Sequence, residues 1–388
     1  MSWGVETVEE KRAEFAERVM RQERSKAALC REYGISRKTG DKWIARYQSG
    51  ESMSDRSRAP HSTPHKTVKA TESEIVKIRL EHPALGAKKI KRMLENEGKN
   101  APAYSTINKI LHQHGLITPE ASEAATPYIR FEKNRPNEMW QADFKGHFAL
   151  LDGQRCHPLT ILDDHSRYCL CIDAKENEKY DGTRESFDRI FWQYGLPETI
   201  LCDNGNPWGT AQSVGFTRFE VYLMDLGILP IHGRPRHPQT QGKEERFNGT
   251  LKRERLRHRA YESFADAQVD FDEYRRFYNT ERPHHALNLE TPAARFHESR
   301  RRLPNQVEEW TYGTGIQTRR IKDSGYITFG GQGYFLSEAF RGRTVGLMED
   351  PGQKGVFVIL YRQFGIAKIN LDDRIVIARK AFRRGAVE

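Results

Sequence analysis

The sequence is short of cysteine. Five occur in 388 residues, at positions 30, 156, 169, 171 and 202, odd in number and with no Cys-x-x-Cys pair. That argues against a disulfide framework and a zinc site, and points to thiols kept reduced in the cytoplasm. Long apolar runs are missing as well. No stretch of about 18 apolar residues occurs, so no membrane-spanning helix is expected. The opening MSWGVETVEEKRAEFAERVM is acidic and amphipathic, unlike a basic-then-apolar secretion signal. Acidic residues are the scarcer charge, 53 against 63 Lys and Arg. The imbalance is local: residues 1–118 hold 23 basic and 15 acidic residues, and the other 270 hold 40 and 38. A polyanion partner approached from the amino-terminal third follows. A chain of this length exceeds one ordinary core, so several domains are expected.

What is present first is helical. Residues 8–50 read as helices, and SKAALCREYGISRKTGDKWIARYQ has the layout of a helix-turn-helix. Ala27, Ala28 and Leu29 lie on its first helix, Gly34 serves the turn, and Ser36 caps the second helix. Trp43, Ile44 and Tyr47 recur at helical spacing and should face inward. Arg37, Lys38, Lys42 and Arg46 are left to meet a DNA groove and its phosphates. Residues 51–70 are rich in Ser and Pro and read as a linker. A second helix-turn-helix-like unit follows over 71–118, opened by a capping-box spacing at Thr71 and Glu74. Its apolar stripe is Ile90, Met93, Leu94, Ile107, Ile110 and Leu111, which leaves Ser105, Thr106, Asn108 and Lys109 as base-reading candidates. A plain helical bundle accounts for this second unit nearly as well.

From about residue 137 strands alternate with helices in the order β-β-β-α-β-α-β-α, a mixed α/β unit. Beyond residue 312 glycine-rich runs with period-2 apolar spacing, such as GVFVILY, predict a small antiparallel β-barrel over 312–388.

Three carboxylates stand out by position. Asp143 sits inside the first apolar strand, Asp203 ends the buried run ILC, and Glu245 opens a helix after 41 intervening residues. Acidic groups in apolar strands need a compensating charge, and three carboxylates without His or Cys suit Mg²⁺ or Mn²⁺. Two such ions support in-line displacement at a phosphodiester without a protein nucleophile. Asp163 and Asp164, in the sequence DDHS between apolar strands, read as hairpin residues.

The ordered set WQADFKG, TILDDHSRY, CDNG, HPQTQGKEERFNGTLKRE and YNTERPHHAL closely resembles the integrase catalytic core of bacterial insertion-sequence transposases, in the DDE transposase and retroviral integrase superfamily. The resemblance covers roughly residues 128–295 and implies a ribonuclease H-like fold, with Asp143, Asp203 and Glu245 as catalytic, metal-holding triad. The second interval is longer than in the best-known members, while the His/Cys module of retroviral integrases is missing. The motif Gly-Lys-x-Glu-Arg-Phe falls on Gly242 to Phe247, which selects Glu245 over Glu244. Helical phase groups Glu245 with Asn248, Gly249 and Lys252 on an open polar face and sets Glu244 toward the core edge. Lys243, Arg246, Lys252 and Arg253 then position DNA through phosphates. The implied function is a cytoplasmic, nucleoid-associated transposase that cleaves element 3′ ends and joins them to target DNA. It would bind terminal inverted repeats and work as a dimer or larger assembly on double-stranded DNA. The rival readings are a DNA-binding regulator with a silent core and a nuclease that only hydrolyses. A tyrosine recombinase gives the carboxylates no role.

Overall fold

The structure, a computed structural model, describes residues 7–56, 67–117, 132–203, 205, 207–209, 215–233, 242–373 and 375–383. Much of the expected linker, the TAQSV segment (210–214) and the RPRHPQTQ stretch lie outside these residues. Two compact units divide the chain, residues 1–66 and 67–388.

The described residues of the first unit form three helices, α1 (Val8–Met20), α2 (Lys26–Glu32) and α3 (Arg37–Gln48). Gly34 turns at φ +65° and Ser36 caps α3 by accepting from the Thr39 amide, both as the sequence predicts. Phe15, Leu29, Cys30 and Trp43 form the core. The inward face of α3 differs from expectation: Tyr47 is exposed and Arg46 is buried. The Arg46 guanidinium lies over Trp43 and donates to the Ser54 carbonyl. A long amphipathic side chain thus covers the indole where a tyrosine was expected.

The second unit begins with α4 (Lys69–Glu81), α5 (Ala87–Asn96) and α6 (Tyr104–Gln113). The capping box at Thr71 does not form. The helix starts three residues earlier, behind Val68, and Glu74 pairs with Lys99 instead.

Strands β1 (Trp140–Phe144), β2 (Phe148–Ala149), β3 (Arg155–Asp163) and β4 (Cys169–Lys175) come next, then α7 (Tyr180–Tyr194), β5 (Thr199–Cys202), α8 (Arg218–Asp225), β6 (Leu229–His232) and α9 (Gly242–Leu251). The sheet order is β2-β3-β1-β5-β6, with β4 also on β3. β3 pairs antiparallel with β1 and β4, while β1, β5 and β6 run parallel. One apolar layer, including Trp140, Phe187 and Phe219, fills the α7–α8 side. On the other side α9, a π-helical turn (Lys252–Leu256) and α10 (Phe264–Thr280) share a core with α4–α6.

The carboxy-terminal region holds β7 (Gln317–Arg320), the hairpin β8 (Tyr326–Phe329) and β9 (Gln332–Phe335), then β10 (Thr344–Glu349), β11 (Val356–Tyr361), β12 (Phe364–Asn370) and β13 (Ile375–Arg383). Among the described residues no closed barrel forms. β13-β12-β11-β10-β7 is an open antiparallel sheet, and β8–β9 stands apart. The apolar face of this region packs against Phe216, Val221, Met224 and Leu229 around α8 and β6. The sheet is covered by the preceding α/β layer instead of closing on itself. Among the described residues no helix is long and apolar enough to cross a membrane.

Gly40 lies where α3 crosses the first unit's core, and a Cβ there would come 2.8 Å from Cys30 Sγ and 3.0 Å from the Phe15 ring. Gly40→Val is expected to destabilise this unit by about 1–3 kcal/mol through overpacking. Circular-dichroism melting of the full chain should show an earlier transition, and an unchanged melt would contradict the packing.

Candidate active site

Register brings the first two carboxylates together. Ala142 on β1 pairs with Cys202 on β5 in a parallel ladder, so the next residues, Asp143 and Asp203, lie side by side where the strands end. Asp143 is half-buried and Asp203 exposed. Burial, then the charge of Asp203, raise the Asp143 carboxyl to about 6. Below the ordinary carboxylate range the pair is stable. As pH rises through about 6, that stability is lost unless a cation enters.

Helix α9 lies over these strands and supplies what holds Asp143. Asn248 Nδ2 donates to Asp143 Oδ2 at 2.9 Å, and Asn248 Oδ1 accepts from the Thr160 hydroxyl at 3.2 Å. Thr160 is the register partner of Asp143 on β3. Asn248 is buried and faces the sheet, not the open polar face on which helical phase placed it. Lys145 and Lys252 bear on the same region. The Lys145 ammonium is lowered by burial and by Lys252, against the charge of Asp143.

The two glutamates part company. Glu245 is exposed, whereas Glu244 is 1% exposed and neither of its carboxylate oxygens has a hydrogen-bond partner. Burial holds the Glu244 carboxyl far above its ordinary range, the nearby Thr160 hydroxyl opposes this without reaching hydrogen-bond geometry, and the Asp143 charge adds to it. Among the described residues no three His, Cys, Asp or Glu side chains gather closely enough to hold a metal ion. The Asp143–Asp203 pair by itself fits one: an all-oxygen, mutually repelling donor set suits a hard divalent cation.

The loop after Asp203 is anchored at both ends by residues that the sequence reading missed. His232, at the end of β6, faces the Asp203 carbonyl with Nδ1 at 3.1 Å and Glu220 Oε1 with Nε2 at 2.9 Å. Both ring nitrogens meet acceptors. Burial opposes the ring charge, but Glu220 outweighs it and raises the His232 pKa. Glu220 Oε2 accepts from the Thr217 amide at 2.7 Å, and the Thr217 hydroxyl donates to the Trp208 carbonyl at 2.9 Å. The Thr217-x-x-Glu220 capping-box spacing was the available signal.

Asp163 and Asp164 do form a turn, but both are buried. Asp164 accepts from Gln141 Nε2 at 2.6 Å and pairs with Lys243 Nζ at 2.5 Å, tying the start of α9 to the sheet. Of the expected phosphate contacts, Lys243 and Arg46 are therefore engaged inside the fold. Arg37, Lys38, Lys42, Ser105, Asn108, Lys109, Arg246 and Lys252 are exposed, and Thr106 is half-buried.

A mixed sheet with an aspartate pair at the ends of adjacent parallel strands, crossed by an acid-bearing helix, defines a ribonuclease H-like core. Comparison with known families agrees. Two models described as integrase core domains match residues 133–238 and 226–292. A helix-turn-helix domain model matches 11–61, and a homeodomain-like domain model matches 39–111. The chain thus carries a region that matches integrase core domains, preceded by segments that match helix-turn-helix and homeodomain-like models. It is 25% identical over 231 residues to an uncharacterized 31.7 kDa protein of insertion element IS407 from Burkholderia multivorans, covering 57% of this chain and 80% of that protein. It is 26% identical over 239 residues to an uncharacterized 39.2 kDa protein of insertion element IS476 from Xanthomonas euvesicatoria, covering 61% and 66%. A solved structure of the HTLV-2 integrase catalytic core domain with magnesium, in a trimeric form, covers 42% of this chain and 99% of its own at 19% identity, with TM-score 0.33.

Glu244→Leu is expected to stabilise the protein by about 1–3 kcal/mol, because it removes a buried carboxyl without partners. A folded-state pKa above the unfolded one means stability is lost as pH rises, so the gain should grow from about pH 5 to about pH 8. Denaturant midpoints across that range check this, and a destabilised variant would contradict it.

Proposed function

We propose that this chain is an insertion-element transposase that cleaves the 3′ ends of its element and joins them to target DNA. The observation that carries this reading is the Asp143–Asp203 pair, two carboxylates forced together with the first raised to about 6. In this reading Asp143, Asp203 and Glu245 hold two divalent cations, Mg²⁺ or Mn²⁺. Bound there, the ions would activate the attacking water or 3′-hydroxyl and stabilise the leaving oxygen. The protein's own part is positional. Asn248 and Thr160 fix the Asp143 carboxylate, and the His232–Glu220 pair fixes the backbone at Asp203. Lys145, Arg246 and Lys252 offer cationic groups to the phosphates on either side of the reacting bond. The helix-turn-helix modules bind the terminal inverted repeats, with Arg37, Lys38 and Lys42 in the first and Ser105, Thr106, Asn108 and Lys109 in the second. Joining two ends in concert calls for a dimer or larger assembly on the DNA.

A second reading, a DNA-binding regulator with a silent core, is favoured by the exposure of Glu245 away from any gathered trio. A strand-transfer assay separates the two. Purified protein meets labelled element-end duplex and supercoiled target, with Mg²⁺ or with EDTA. Joined products are expected with Mg²⁺ alone, to fall by at least about 100-fold in Asp203→Asn and Glu245→Gln, and to persist in Glu244→Gln. Wild-type protein that binds the ends and never nicks or joins them would give the regulator reading its place.

A further inference from the structure

We propose that the seam where α5 meets the loop after α10 is a binding site for the backbone phosphates of duplex DNA, an inference that rests on the DNA-acting role proposed above. The seam is a packed junction. The His82 ring at the end of α4 stacks on Phe277 of α10, with centroids 4.0 Å apart and planes at 9°. Leu85, Ala87 and Ile90 share one apolar core with Leu251, Tyr274 and Tyr278.

Around this junction the charges do not balance. Lys89 of α5 is half-buried, and among the described residues its ammonium meets no hydrogen-bond acceptor or carboxylate partner. The carboxylate bearing on it, Glu254 of the π-helical turn, is already occupied. Arg282 grips both Glu254 oxygens at 2.7 to 3.2 Å, and the Tyr274 hydroxyl donates to it at 2.9 Å. Burial brings the Lys89 ammonium down to about 7, Arg282 and Arg253 push the same way, and Glu254 opposes them. His285 is lowered by burial and then by Lys89, Lys88 and Arg282. A lysine drawn into a cationic neighbourhood lowers stability unless an anion arrives to meet it.

The layout favours a polymer over a small anion. Lys88, next to Lys89, sets its ammonium 5.4 Å from the ring of Tyr104, the first residue of α6. On α6 the exposed Ser105, Asn108 and Lys109 form the face expected to meet bases. A duplex on that face meets Lys88 and then reaches Lys89 and His285, both open to solvent in part or in full. Phosphate contacts of this kind position a duplex without reading sequence. The seam would thereby join DNA held by the second helical unit to the core.

The test is Lys89→Met in the full chain, with labelled duplex DNA followed by anisotropy over a range of salt. The variant should melt at or above the wild-type temperature yet bind DNA about 3- to 10-fold more weakly, with the log–log salt slope reduced by about 1. Lys89→Arg should restore binding. A purely structural role would move stability and leave the salt slope alone. Unchanged affinity and slope in Lys89→Met overturn the proposal. So does inorganic phosphate that binds wild type and not Lys89→Met while duplex affinity stays equal, which would mark a free-anion site. Wild-type protein that binds no duplex overturns both this site and the function beneath it. Intact duplex binding without strand transfer counts against the transposase reading alone.

Discussion

Two carboxylates side by side at the ends of parallel strands repel each other, and partial burial of Asp143 sharpens the repulsion. Asn248 and Thr160 hold Asp143 through hydrogen bonds, and the His232–Glu220 pair anchors the backbone at Asp203 through its carbonyl. The Asn248 amide carries no formal charge, so it orients the Asp143 carboxylate without cancelling the charge that a divalent cation would meet.

Helix α9 carries the other half of the arrangement and is fixed along its length. Lys243 is pinned to buried Asp164 at its start, Asn248 faces the strands at its middle, and Glu254 in the π-helical turn beyond it is gripped by Arg282. A helix held at three levels keeps Asn248 in place against the Asp143 strand. The Arg282 clamp also shapes the junction with α5, so the element that serves the carboxylates also sets the floor of the cationic seam.

Much of this was legible in the sequence because it follows local rules. The strand and helix order, apart from the short β2, came from period, the turn at Gly34 and the cap at Ser36 from backbone chemistry, and the places of Asp143 and Asp203 at strand ends from acid in apolar runs. What was not legible depends on tertiary partners. Asn248 lies on the sheet-facing side of α9 because helical phase alone does not say which side meets the strands. Asp164 looked like a turn residue because its partner, Lys243, lies 79 positions away. The open carboxy-terminal sheet was read as a barrel because alternation signals strands and does not report whether they close or lean on a neighbour. Arg46 and Tyr47 exchanged places because covering an indole is a matter of side-chain reach.

The central claim is that Asp143 and Asp203 are held as a mutually repelling pair that accepts a divalent cation. The most direct test follows the Asp143 carboxyl carbon by ¹³C NMR during a pH titration of metal-free protein. The account predicts a midpoint near 6. That midpoint should fall toward the ordinary carboxylate range in Asp203→Asn, and again when Mg²⁺ is added to wild type. An ordinary midpoint in the metal-free wild type, unmoved by either change, would contradict it.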